Sequence, residues 1–157
     1  MSVRVVGIVV SGDAATIVDA EMPTDLSDPI VILADNSWRL QKGEKGAAYH
    51  VLHQRCADYL RENSISRVVI KASALPTGAA KLGLLNSAEL RGVIIAAAAS
   101  VCEIKLLTKA SISRTYGERK VDEYIEDDSF WGEQTTGKTL RKLSRESAML
   151  IIANRNT

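Results

Sequence analysis

Hydrophobic residues in the first part of the chain follow the pattern of β-strands. Residues 3–11 form a β-branched run almost without charge, which is typical of a strand buried on both faces. A Ser-Gly-Asp turn at 11–13 and an alternating segment at 14–21 predict the returning strand of a hairpin. After a proline-bounded loop, residues 30–34 predict a third strand. Three strands in succession indicate an antiparallel meander.

The hydrophobic period then changes to that of a helix over residues 44–63. The apolar side of this helix consists of Ala48, Leu52, Cys56, Tyr59 and Leu60. Residues 67–72 predict a fourth strand. Asn86, with Glu89 three residues later, resembles a capping box and predicts the start of an alanine-rich helix that ends near residue 101.

Shorter elements complete the chain. Residues 103–107 predict a fifth strand, 111–116 a short helix and 139–153 a final helix, with an acidic segment at 121–128 before it. The predicted order is β-β-β-α-β-α-β-α, without repeats or a linker. We therefore expect residues 1–157 to form a single α/β domain with a five-stranded mixed sheet flanked by helices.

The composition narrows the class of protein. Of 157 residues, 46% are hydrophobic and 25% charged, which excludes fibrous and disordered chains. The longest apolar run, 93–101, is half alanine and shorter than a bilayer span. The N-terminus lacks a signal-type pattern. We therefore expect a cytoplasmic protein with no membrane contact. Cys56 and Cys102 lack CxxC spacing and are interpreted as reduced packing residues.

Charge is segregated along the chain although the net charge is only +1. Residues 1–36 carry one Arg against six acids, whereas 37–121 carry fourteen bases against six acids. Residues 122–133 hold six acids and no base, and 134–157 hold five bases and one acid. A basic surface of this kind suits a polyanion partner, and separately solvated faces give the same numbers, so both interpretations stay open.

The second half of the sequence resembles a known family. The strand RVVIK is followed, after a loop, by NSAELRGVIIAAAASVCEIKLLTKASISRTYGERKVDEYI, with matching positions at Arg91-Gly92, Gly117 and Lys120-Val121. This layout over residues 67–125 is similar to that of RuvC-type Holliday junction resolvases, in the ribonuclease H-like superfamily. The resemblance implies a ribonuclease H-like fold, a homodimer and two-metal phosphodiester hydrolysis, in which carboxylates hold two Mg²⁺ ions.

The sequence departs from the family where the catalytic acids are expected. The family places them in the first strand, at the end of the fourth strand and in the final helix, and the matching positions here are Val9, Lys71 and Ala148. A lysine repels divalent cations and can itself contact a phosphate. We therefore expect no catalytic residues, no metal ligands and no cofactor.

Two alternatives remain open. One is a divalent-metal nuclease with magnesium and relocated ligands, for which Asp13 and Glu146 are the main candidates; Asp19 and Glu21 lie on what the strand pattern predicts to be a solvent-facing edge. Glu146 also fits an exposed salt bridge. The other is a structural homo-oligomer that does not contact nucleic acid. His50 and His53 have metal-ligand spacing but no third partner in sequence, which favours a surface or packing role.

The final segment supplies the main nucleic-acid candidates. Lys138, Arg141, Lys142 and Arg145 are spaced i, i+3, i+4 and i+7 and predict a basic stripe on the final helix that can follow a phosphate backbone. Lys71 and Arg91 complete the predicted contact set. The function we predict is a degenerate, non-catalytic RuvC-like subunit that binds DNA or RNA, or assembles with a protein partner into a nucleic-acid-processing complex.

Overall fold

The computed structural model of the chain describes residues 2–79, 81–115 and 119–155. Its strands are β1 (Val3–Ser11), β2 (Ala14–Met22), β3 (Ile30–Arg39), β4 (Arg67–Lys71), β5 (Glu103–Leu107) and β6 (Thr135–Gly137). Its α-helices are α1 (Lys45–Glu62), α2 (Leu82–Ala99), α3 (Lys109–Ser113), α4 (Val121–Ile125), α5 (Asp128–Gln134) and α6 (Arg145–Arg155). A short 3₁₀ helix spans Lys142–Ser144.

The strands form one mixed sheet in the order β5-β4-β1-β2-β3-β6. β1 and β3 each pair antiparallel with β2, while β1 with β4, β4 with β5 and β3 with β6 are parallel. The α/β class, the meander and the five expected strands are confirmed. The sixth strand was missed because three residues are too few to show a strand period.

Helices cover both faces of the sheet, and β1 contributes side chains to both layers. Val6, Ile8 and Val10 face α1 and α2, whereas Val5 and Val9 face α6. This alternation within one apolar strand explains why its sequence carries almost no polar residues. The expectation of a central strand buried on both faces is therefore confirmed.

Helix α2 begins earlier than the capping signal predicts. Its N-cap is Lys81 rather than Asn86. The side chains of Asn86 and Glu89 instead accept hydrogen bonds from Lys45 of α1, at 3.4 and 2.7 Å. The apparent capping box is thus an interhelical contact.

Helix α2 is long and apolar enough, by length and composition, to cross a membrane. Its inner face packs into the core through Leu90, Ile94, Ala97 and Ala98.

Other element boundaries also differ from the prediction. β3 continues to Arg39 because its pairing with β2 extends to the end of the hairpin, opposite Ala14. The short helix predicted at 111–116 is α3, which starts at Lys109, and the predicted positions Tyr116 and Gly117 lie outside the described residues. The acidic segment forms α4 and the start of α5. The final helix begins at Arg145, six residues later than predicted.

Helix α6 crosses the sheet directly over Gly7 of β1. A Cβ atom at Gly7 would lie 2.0 Å from the backbone oxygen of Ser147, a distance that no side chain permits. The Ser147 hydroxyl also donates to the backbone oxygen of Thr16 on β2, at 3.0 Å. Helix and sheet therefore touch through backbone atoms, and glycine is required here by space rather than by backbone torsion.

Substitution of Gly7 by alanine tests this contact. We expect Gly7→Ala to lower the free energy of unfolding by about 3 kcal/mol, because α6 has to move away from β1. Gly92→Ala is the matched control, since no atom lies within 4 Å of a Cβ at that helical site. This control should stabilise the protein by up to about 1 kcal/mol in urea denaturation. Equal stability of the two variants would contradict the close approach.

Candidate functional site

A cavity of about 360 Å³ lies where β1 and β4 end. These neighbouring strands are parallel, so their carboxyl ends meet at one edge of the sheet, the edge where α/β proteins bind ligands. The loop after β4 and the first turns of α2 close the other sides. Residues that line the cavity include Val10, Ser11, Lys71, Ser73, Leu84 and Arg91.

Lys71 and Glu146 form an ion pair beside this cavity. Lys71 is the last residue of β4, and Glu146 lies in the first turn of α6, next to the residue that contacts Gly7. The Lys71 Nζ and Glu146 Oε1 atoms are 2.8 Å apart, and the side chains are only 24% and 17% exposed. Glu146 was expected at the surface; it does form a salt bridge, but in a largely enclosed position.

The residues at this centre do not fit a pair of divalent cations. Val9 presents an aliphatic chain, Ala148 is fully buried in the core, and the Glu146 carboxylate is paired with the Lys71 ammonium. Two magnesium ions need several oxygen ligands and are repelled by a lysine. In the described parts of the chain, no three His, Cys, Asp or Glu side chains are grouped to hold a metal ion.

The other acids considered as relocated ligands lie in separate contacts. Asp13 pairs with Arg39 at 2.8 Å, and Glu21 accepts a hydrogen bond from Ser2. The prediction that Asp19 faces solvent is wrong, because its side chain is fully buried. Arg4 and Tyr59 bind its carboxylate at 2.7 and 2.6 Å. A buried charge is tolerated only with such partners. Burial and the hydrogen bond to Asp19 raise the pKa of Tyr59.

Arg91 reaches the cavity from α2. Its guanidinium donates to the Ser73 hydroxyl at 2.6 Å and to the backbone oxygen of Val10 at 3.1 Å. Burial lowers the pKa of Arg91, and no carboxylate in the described residues forms an ion pair with it. The cavity thus contains a guanidinium held in place by neutral groups only.

The four predicted cations do not form a stripe on the final helix, because Arg145 alone among them lies on α6. Residues 138–141 belong to no helix or strand, and the Lys138 amide donates a hydrogen bond to the backbone oxygen of Ile32 on β3. Acidic side chains of other elements pair with three of the four cations: Arg141 with Asp35, Lys142 with Glu126, and Arg145 with Asp128. Lys138 is exposed, and no ion pair of it is found among the described residues.

Asp35 organises this segment, and sequence analysis did not single it out. Its carboxylate accepts hydrogen bonds from the Arg141 backbone and guanidinium and from the Ser144 hydroxyl. Burial raises the pKa of Asp35, but these hydrogen bonds outweigh it, and the net pKa is lowered. Nothing in the local sequence indicates this role, since its partners lie over 100 residues away.

The two histidines and two cysteines are not grouped with a third metal-ligating side chain among the described residues. His50 and His53 line a groove between α1 and α2, where the nearby Glu89 is bound by Lys45 and Tyr49. Burial raises the pKa of Cys56 to about 12, so its thiol stays protonated. Both observations agree with packing roles.

Comparisons with known proteins identify the fold. No protein-family model and no curated protein matches the sequence. Among solved structures, Thermus thermophilus RuvC is similar over 98% of this chain and 93% of its own, with a TM-score of 0.71 and 9% identity. RuvC in complex with Holliday junction substrate has a TM-score of 0.70 and 9% identity, over the same shares of the two chains. The yeast mitochondrial Holliday junction resolvase Ydc2 gives 0.71 and 11%, covering 98% and 79%. The RuvC-like, ribonuclease H-like architecture is therefore confirmed.

A double-mutant cycle tests the coupling at the centre of the site. We expect Lys71→Met and Glu146→Gln each to destabilise the protein by about 1–2 kcal/mol, because either leaves a half-enclosed group without its partner. The loss in free energy of unfolding of the double variant should be about 1 kcal/mol smaller than the sum of the two single losses. Urea denaturation measures all four proteins. Strictly additive losses would show that the pair does not form in solution.

Proposed function

We propose that this protein is a non-catalytic, RuvC-like subunit that binds nucleic acid. The observation that carries the proposal is the Lys71–Glu146 ion pair, 2.8 Å long, beside the carboxyl ends of β1 and β4. An ammonium group here disfavours divalent cations and favours the negative charge of a phosphate. Binding without hydrolysis follows from that change of charge.

The structural neighbours suggest which nucleic acid to test first. The RuvC structure with a Holliday junction substrate has the same architecture as this chain. A likeness of fold does not transfer an activity, since function depends on the residues of the site. It does support four-way DNA junctions as the first ligand to compare with linear DNA and RNA.

Exposed apolar residues support a role within a larger complex. Leu75 and Leu82 are 93% and 71% exposed and lie on the loop after β4 and at the first residue of α2, outside the lining of the cavity. Exposed leucines close together are typical of a surface that contacts another molecule. We propose that this surface contributes to assembly, with a protein partner or a second copy of the chain.

Nuclease and binding assays on the same protein test the proposal. With Mg²⁺ or Mn²⁺, we expect no cleavage of four-way junctions, linear DNA or RNA, because one paired carboxylate cannot hold the required cations. Mobility-shift assays should nevertheless detect complexes that weaken with added salt. Metal-dependent cleavage that disappears in Glu146→Ala would establish instead a nuclease with relocated ligands. Absence of any complex would contradict nucleic-acid binding.

Introducing carboxylates at positions 9 and 71 tests whether the charge at these positions disfavours divalent cations. In the double variant Val9→Asp with Lys71→Glu, two new carboxylates join Glu146 at one sheet edge. We expect Mn²⁺ to raise the Tm of this variant by several degrees, through binding to the folded state, and to leave the natural sequence unchanged. Val9→Asn with Lys71→Gln is the uncharged control. An equal response of all three proteins would contradict this explanation.

A further inference from the structure

We propose that the cavity at the ends of β1 and β4 binds one phosphodiester of a nucleic-acid strand without a divalent cation, through Arg91 and Lys71. The inference rests on the proposed nucleic-acid function and names the atoms and the chemistry of one contact. The proposed phosphodiester site is the whole cavity, which has a volume of about 360 Å³.

Arg91 is held in a position to donate more hydrogen bonds than it makes within the protein. Its two terminal nitrogens each donate once, to Ser73 and to the Val10 backbone. Its Nε atom is buried and has no hydrogen-bond partner. A guanidinium has five N–H donors in a fixed plane, a geometry that matches two phosphate oxygens. Arg91 therefore retains donors that no described residue uses.

The charge at the cavity matches a phosphodiester. Lys71 and Arg91 are positive and Glu146 is negative, which leaves one uncompensated positive charge. A phosphodiester carries one negative charge, so its entry would neutralise the site. Glu146 also keeps the Lys71 ammonium in a defined position, where a free lysine would sample many rotamers. No metal ion is needed for this balance.

The cavity wall favours a strand over a free phosphate ion. Beyond the two cations it is lined by apolar side chains, including Val10, Pro76, Leu84 and Leu85. These groups can contact sugars and bases but offer nothing to an isolated inorganic ion. Ser11 and Ser73 add hydroxyl donors near the charged end. The arrangement suits a phosphate with organic groups on both sides.

Fluorescence anisotropy with an end-labelled single-stranded DNA oligonucleotide tests the inference. We expect Arg91→Gln to weaken binding about tenfold, the effect of losing a charge-assisted contact. Arg91→Lys, which keeps the charge but not the planar fork, should fall between that variant and the natural protein. Affinity should be the same in EDTA and in Mg²⁺ at matched ionic strength. Circular dichroism melts establish that each variant is folded.

Arg61→Gln is the matched control. It removes the same charge from an exposed side chain in the last turn of α1, and the residue after this helix, Asn63, contacts Arg4 at the opposite end of β1 from the cavity. Its affinity should stay within about twofold of the natural protein, because screening weakens distant charges. Equal losses in Arg61→Gln and Arg91→Gln would overturn the cavity contact and leave general nucleic-acid binding intact.

The remaining outcomes separate the cavity from the overall function. Binding that EDTA abolishes would overturn the metal-free contact, whereas failure of the natural protein to bind any oligonucleotide would overturn both proposals. Competition with inorganic phosphate and with a nucleoside monophosphate distinguishes the source of the ligand. Displacement of the oligonucleotide by either at comparable concentration would show that the cavity takes a free phosphate compound instead of a strand.

Discussion

The backbone contact between Gly7 of β1 and Ser147 of α6 is the constraint on which the site depends. It allows the helix to lie against the sheet with no side chain between them. The neighbouring residue, Glu146, is thereby brought to the end of β4, within 2.8 Å of Lys71. A larger residue at position 7 would displace the helix, and with it the only carboxylate described at this centre.

Most of the partly buried charged groups among the described residues have a partner of opposite charge. Asp19 is matched by Arg4 and Tyr59, Asp35 by Arg141 and Ser144, and Lys71 by Glu146. Such pairing offsets the desolvation of each charge. Arg91 and Arg155 differ from these groups, because both are partly buried and their described partners are neutral. Of the two, Arg91 lies in the cavity that Lys71 also lines, at the carboxyl ends of β1 and β4.

The fold of this protein matches that of resolvases, whereas the side chains at the ends of β1 and β4 form an ion pair that does not suit divalent cations. Resolvase structures share its fold over nearly the whole chain at identities of 9–11%. At two positions where the resemblance to resolvases leads us to expect carboxylates, this sequence has Val9 and Lys71. Activity depends on particular side chains, whereas the fold depends on apolar patterning and backbone packing. The same architecture therefore carries the Lys71–Glu146 ion pair here, at a place where the resemblance leads us to expect metal-binding carboxylates.

The sequence by itself determined the five longer strands, helix α1 and the presence of Lys71 at the end of β4, because apolar periodicity and strand order are local properties. It could not determine the start of α2, since Asn86 and Glu89 bind Lys45 rather than a helix terminus. Only the tertiary structure decided which cations are free: Asp35 reaches Arg141 across 106 residues, whereas Arg91 meets no acid among the described residues. Ion pairing depends on distance in space, and spacing along the chain does not contain that information.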